Sequence, residues 1–266
     1  MGVLTVTDNL VRLEKHGQIA VLTMDNPPVN AASTKLMNSL HARLDEIEAD
    51  KDIRCVILTG AGEKAFCAGG DLREEKDFGT PEDAERYRAL GRKTLDRLEA
   101  FSVPIVAAIF GYCIGGGTAI GWACDIRIAA DNSVFRAADA YLGLVPSWGM
   151  GLTRLPRYVG RNRALDILML GGDFGAEEAR EFGLVTKVVK RADLMKEAMA
   201  AAERIASASP SAIRATRDAI HFNLRNGWKE MVDFEFEVCR RVFAHPDAHE
   251  GPKAFAEKRK PQFGAR

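Results

Sequence analysis

Gly115, Gly116 and Gly117 stand together in a chain where single glycines are the rule, and they are the residues whose spacing most directly suggests chemistry. They follow the apolar run Ile105 to Ile109 and a lone Gly111, and they precede the apolar stretch Thr118 to Cys124. Strand, glycine turn and helix in that order aim free backbone N–H groups at an anion. Adjacent glycines let a ligand approach the main chain with no Cβ in the way, whereas a tight strand-to-helix connection needs only one. The stretch GYCIGGGT fits the phosphate-loop pattern G-x-x-x-x-G-K-[ST] except that Gly117 replaces the lysine. Nothing then reaches the outer phosphates, which excludes a nucleotide triphosphatase. What is left is an uncharged N–H donor site, suited to an oxyanion that develops only during reaction.

A second stretch has the same character. Cys55 to Thr59 reads as a buried strand leading into GAGEKAFCAGGDL, with Asp71 to Glu75 as a helix-like run after Gly69 and Gly70. Gly60 to Ala65 imitates the dinucleotide fingerprint, but that fingerprint must open a helix directly. Here Phe66 to Gly70 would break such a helix, so a Rossmann site is set aside. Asp139 follows the second glycine turn in a segment rich in small apolar residues. Glu74 and Glu75 lie near the first turn, at the mouth of the pocket; they could supply a substitute acid, but a solvated helix face is the preferred reading. His245 and His249 are four apart, but Pro246 lies between them and no third ligand is evident, so no metal is expected.

The elements that must carry these turns can be read in outline. Val11 to Leu13 and Ile19 to Met24 form strands around the turn at Lys15 to Gly17, and Asn26-Pro27-Pro28 stops the second. Ser33 caps a helix with Leu36, Leu40, Leu44 and Ile47 on one face. Thr80-Pro81-Glu82-Asp83 starts another, with Ala84, Tyr87, Gly91, Leu95 and Leu98 sharing a face. Short strands follow at Ile126 to Ala129 and Ser133 to Arg136, then a loop from Leu142 to Gly151. Helical stretches lie around Arg154 to Val159, Arg163 to Leu170 and Ala176 to Phe182, with a last strand at Val185 to Val189. From about Asp193 everything is helical, with an apolar stripe Met231, Phe234, Val238, Val242. The recurrence of strand, glycine turn and helix at Cys55 and Ile105 points to stacked ββα-like units rather than a doubly wound sheet.

Composition narrows the class. The 266 residues are 47% apolar and carry 37 acidic and 37 basic side chains, so there is no electrostatic case for nucleic acid or an anionic membrane surface. No leader and no membrane-spanning run is evident, which leads us to expect a cytoplasmic protein with no membrane partner. Five cysteines without a C-x-x-C read as reduced, mostly buried thiols.

At the two glycine turns the chain resembles the crotonase, or enoyl-CoA hydratase/isomerase, superfamily. The likeness spans nearly the whole sequence. It includes NPPVNAAS, VILTGAGEKAFCAGGDL, GYCIGGG with CDIRIAAD after it, LGLVP, and AFAEKRKPQF, in the family's order. It implies an α/β fold, a crotonase-like spiral of ββα units over residues 1–195 with a C-terminal helical oligomerisation region over 196–266, forming homotrimers or homohexamers. It implies an acyl-CoA thioester substrate, with coenzyme A part of that substrate and no separate cofactor. The N–H groups of Gly70 and Gly116 would hold the thioester oxygen as an enolate forms; losing one such donor costs about 3 kcal/mol in the transition state. Ala68 would offer its carbonyl to the adenine. Phe255 and Lys258 would close over the nucleotide, from a neighbouring subunit. Trp148 and Met150 would line the acyl pocket, while Asp71 and Asp125 would be structural.

The resemblance breaks at the carboxylates. Typical hydratases carry two glutamates, and their positions fall on Ala119 and Asp139 here. Asp139 alone suits a proton shuttle, so this reading leans to a 3-enoyl/2-enoyl-CoA isomerase. A 2-enoyl-CoA hydratase, a decarboxylase or hydrolase on the same scaffold, and a non-catalytic CoA-thioester binder are the alternatives.

Overall fold

Strands that come in pairs, one to each of two sheets, set this architecture. The computed structural model describes residues 9–264; the first eight residues, where no leader is expected, and the last two lie outside that range. The larger sheet holds β1 (Val11–His16), β2 (Ile19–Met24), β3 (Cys55–Gly60), β5 (Ile105–Ile109), β7 (Ile126–Ala130) and β10 (Lys187–Val189) in the order β1-β2-β3-β5-β7-β10. The smaller holds β4 (Ala65–Cys67), β6 (Tyr112–Ile114), β8 (Val134–Arg136) and β9 (Phe174–Gly175). Each of β3, β5 and β7 is followed within a few residues by a partner strand in the small sheet. Helices α2 (Leu72–Glu75) and α3 (Pro81–Glu99) follow the first pair, and α4 (Gly116–Ala123) follows the second. This is the stacking of ββα units expected from the sequence. The sequence predicts no strand at β4 or β6 and takes the chain past Gly111 straight into the glycine turn; the structure puts three residues of strand at each place.

The central strands are buried on both faces, which is why they read as continuous apolar runs rather than alternating ones. Val56, Leu58, Ile105, Ala107 and Ile109 face a core shared with α1 (Thr34–Ala49), α3 and α4. Cys55, Ile57, Val106 and Ala108 face Leu194, Ala198 and Ala202 of α7 (Leu194–Ala206). The 195/196 boundary drawn from the sequence therefore falls inside a helix that belongs to this second core. α8 (Pro210–Asn223), α9 (Trp228–Phe243) and α10 (Asp247–Ala256) complete the C-terminal region.

Local signals place the helix starts. The Ser33 hydroxyl accepts from Leu36 N–H (3.2 Å), and Thr80 with Asp83 forms a reciprocal capping box. The stretch Arg163 to Leu170 is less regular than expected. Gly160 (φ 77°) kinks α5 (Leu155–Leu165), and a π turn, Asp166–Leu170, follows it. α6 (Ala176–Glu181) leads to β10, whose expected first residue Val185 packs in the core ahead of the strand. The stripe on α9 faces inward: Phe234 stacks on Phe222 of α8 at 4.2 Å and Val238 is buried. The apolar side chains α9 leaves to solvent are Trp228, Phe236 and Phe243. Among the described residues no helix is long and apolar enough to cross a membrane.

Candidate active site

Strands β4, β6 and β8 run parallel and side by side, pairing Cys67 with Cys113 and Ile114 with Arg136. Their C-terminal ends therefore open on one edge, the usual place for a ligand on parallel strands. β4 runs out into Ala68-Gly69-Gly70, β6 into Gly115-Gly116, and β8 into Ala137-Ala138-Asp139. Three segments distant in sequence are thus brought to one wall by strand pairing alone.

The two glycine turns touch through their backbones. A Cβ on Gly117 would lie 2.0 Å from the Cys67 carbonyl oxygen, and one on Gly69 would lie 2.7 Å from the Ile114 carbonyl oxygen and 3.3 Å from Gly116 N. Gly69 also takes φ +96°, a conformation that only glycine adopts freely. Gly116 opens α4, so its N–H has no acceptor within the helix. In the bridge between Ala32 and Gly70, the Ala32 N–H donates to the Gly69 carbonyl (2.7 Å), and the Gly70 N–H is not used. The two donors sit at adjacent points of one cavity of about 610 Å³, which Trp148, Met150, Asp139 and Glu75 also line.

Trp148 is seated by missing side chains. Its ring lies where a Cβ on Gly91 (2.3 Å) or on Gly116 (2.6 Å) would be, and it meets Tyr87 edge-on at 5.8 Å. Tyr87 clamps the first turn. Its hydroxyl donates to the Ala32 carbonyl (2.7 Å) and accepts from Asp71 N–H (2.9 Å). The sequence showed Tyr87 only as one apolar position on a helix face. Asn30 braces the same turn from below, donating to the carbonyls of Ala61 (2.9 Å) and Ala65 (2.8 Å).

Two carboxylates face the cavity. Asp139 heads a 3₁₀ turn, Asp139–Leu142, closed by Gly143 at φ 71°. Burial pushes its carboxyl above the usual range. Glu75 ends the short helix α2, and its Oε1 lies 2.3 Å from where a Cβ on Gly70 would be. Burial raises its pKa first, and the charges of Asp139, Glu74 and Asp71 raise it further, against Arg88. Glu74 points elsewhere and accepts from Thr34 N–H (2.8 Å). The reading of Glu75 as a solvated helix face is thus corrected. A four-residue helix has no periodicity from which its inward face could be read.

Asp71 caps α2 and is gripped by Arg73 (2.9 and 2.8 Å), whose hydrogen bonds hold it below the usual carboxylate range. For Asp125, burial acts to raise the pKa, but His221, Arg217 and the Ile105 N–H outweigh it and hold the carboxyl low. Neither lines the cavity. Ala68 lies two residues before Gly70, with its N–H bonded to the Val29 carbonyl (3.0 Å). Phe255 on α10 and Lys258 beyond it are exposed and outside the cavity of their own chain. Among the described residues no group of three His, Cys, Asp or Glu side chains is placed to hold a metal ion.

The pattern of the Enoyl-CoA hydratase/isomerase family matches residues 14–266. The chain belongs to that family. It is 38% identical over 253 residues to the short-chain-enoyl-CoA hydratase of Clostridium acetobutylicum, covering 95% of this chain and 96% of that one. It is 34% identical over 257 residues to the crotonyl-CoA hydratase of Syntrophomonas wolfei, covering 96% and 98%. The crystal structure of an enoyl-CoA hydratase from Bacillus anthracis superposes with a TM-score of 0.92 at 34% identity, covering 96% of this chain and 98% of that one. The crotonase-like spiral is thereby the fold of this enzyme, and the family's chemistry is that of acyl-CoA thioesters.

Proposed function

We propose that this family member adds water across the double bond of a 2-enoyl-CoA thioester. The observation that supports the reading is the one cavity, at one sheet edge, that Gly70, Gly116 and Asp139 all line. The two N–H groups take the thioester oxygen as negative charge develops on it, and the Asp139 carboxylate takes the proton of the attacking water. The names of the relatives favour hydration over the isomerisation suggested by Ala119. Double-bond isomerisation of a 3-enoyl-CoA stays as the second reading, because Ala119 leaves one carboxylate fewer at the family's positions.

In this reading the carbonyl of Ala68 receives the adenine, Trp148 borders the acyl chain, and Phe255 and Lys258 of a neighbouring copy close over the nucleotide. Their exposure on α10 and just beyond suits that role, as does the apolar surface left by Trp228, Phe236 and Phe243 for assembly as a trimer or hexamer. Coenzyme A enters as substrate, with no further cofactor, in a cytoplasmic setting that keeps the thiols reduced.

The test is loss of the conjugated-thioester absorbance of crotonyl-CoA on hydration, run beside a 3-enoyl-CoA. Wild type hydrates, and Asp139→Asn loses about 100- to 10,000-fold in kcat. A wild type that converts only the 3-enoyl substrate replaces hydration by the second reading. Hydration that survives Asp139→Asn removes Asp139 from the chemistry.

A further inference from the structure

The helix after the glycine triplet offers Ala119 to the cavity, an apolar residue that can move no proton. The same cavity is also lined by Glu75. Its Oε1 occupies the place of the side chain that Gly70 lacks, beside one of the two oxyanion donors. Three features of the chain build this position. Glycine at 70 leaves the room. Asp71 caps α2 and so sets the turn that ends at Glu75. Glu74 is drawn the other way by Thr34 N–H, which separates two neighbouring acids into one tied outward and one lining the cavity.

We propose that Glu75 is the second catalytic carboxylate of this enzyme and delivers the proton to Cα, while Asp139 activates water at Cβ. The proposal rests on the hydratase reading and adds to it. A carboxyl beside Gly70 lies next to the thioester carbonyl, and Cα is one bond from that carbonyl carbon. The water oxygen bonds to Cβ and its proton passes to Asp139. The double-bond electrons move onto the thioester oxygen held by Gly70 and Gly116. The enolate then collapses and takes the Glu75 proton at Cα. Exchange with solvent moves the proton from Asp139 back to Glu75, so the net change is one water added.

The charged and titratable groups around Glu75 suit an acid. Asp139, Glu74 and Asp71 favour its protonated form, Arg88 opposes them, and the Tyr87 phenol is itself kept neutral by burial. Activity should fall on the alkaline side as Glu75 loses its proton, and on the acid side as Asp139 gains one.

The experiment uses the intact protein with two probes, crotonyl-CoA for hydration and butyryl-CoA in D₂O for exchange of its Cα protons. Glu75→Gln should lower kcat for hydration about 100-fold or more with little change in KM, and should lose the alkaline limb of the pH profile. It should also lose Cα exchange, because the group that delivers that proton removes it in reverse. Asp139→Asn should lose hydration, yet exchange at least about 100-fold faster than Glu75→Gln. Glu74→Gln should keep hydration and Cα exchange within threefold of wild type, with the alkaline limb present but moved to lower pH. A melting curve shows that Glu75→Gln is folded. Hydration by Glu75→Gln within threefold of wild type and with its alkaline limb intact overturns the proposal. So does exchange that is lost in Asp139→Asn and kept in Glu75→Gln. A wild type that neither hydrates nor exchanges overturns the hydratase reading together with it.

Discussion

Glu75 puts a second carboxyl into a partly buried wall that already holds Asp139, and the empty protein is less stable for it. Its pKa is raised in the folded state, so the native form binds the proton more tightly than the unfolded chain does. Below the ordinary glutamate range both states are protonated and nothing is lost. As the pH rises from there through the raised value, stability falls, and above that value the loss is complete. Glu75→Gln should therefore raise Tm at neutral pH, by about 2–4 °C for each kcal/mol relieved in a chain of this size. The gain should vanish toward pH 3, and thermal melts at several pH values check this. An equal gain at acid pH would place the effect in packing, not charge. At this scale the sequence was partly legible. Glycine runs announce backbone donors, and Asp139 stands out in a segment of small apolar residues. Glu75 was legible only as one of two neighbouring acids that could substitute for the missing one, because what separates it from Glu74 is the side chain missing at Gly70, five residues earlier and across a turn.

The elements that hold the donors are short, and their stability comes from clamps. Tyr87 on α3 satisfies two backbone groups of the first turn at once. Tyr87→Phe leaves both buried without a partner and should cost about 1–3 kcal/mol in urea unfolding. It should also lower kcat more than it raises KM, because Gly70 loses its fixed place. Gly117→Ala tests the contact between the turns. Its Cβ would meet the Cys67 carbonyl at 2.0 Å, backbone against backbone, so a cost of about 3 kcal/mol or more is expected. Gly172→Ala is the control, since a Cβ there meets nothing within 4 Å and should change little. Long elements were legible because their apolar residues repeat at helical spacing or fill a strand buried on both faces. β4 and β6 were not. A strand of three residues shows no alternation, and these two exist only because neighbouring strands accept them.

Across the whole molecule, Arg217 fastens the C-terminal helices to the core. It is 8% exposed, its Nε meets Asp125 at 2.5 Å, and its guanidinium donates to the carbonyls of Leu98 (2.9 Å), Glu99 (2.6 Å) and Phe101. Arg217→Met takes the guanidinium away from a buried carboxylate and from three carbonyls, and should cost about 3–5 kcal/mol. The folded pKa of Asp125 is depressed, so its contribution is present above the ordinary aspartate range and is lost as pH falls through the lower folded value. The difference between wild type and Arg217→Met in urea should shrink accordingly in acid. The sequence offered Arg217 no distinction among 37 cations, since its partners lie about ninety residues or more away. The backbone contact between Cys67 and Gly117 has a bearing on redesign. It acts as a fixed gauge: no side chain stands between the turns that carry the two donors, so no substitution there can open or narrow the gap without breaking the sheet. On the proposed reading, preference among acyl groups is better tuned elsewhere in the cavity lining, at Leu144 and Val145, which are exposed and leave the gauge untouched.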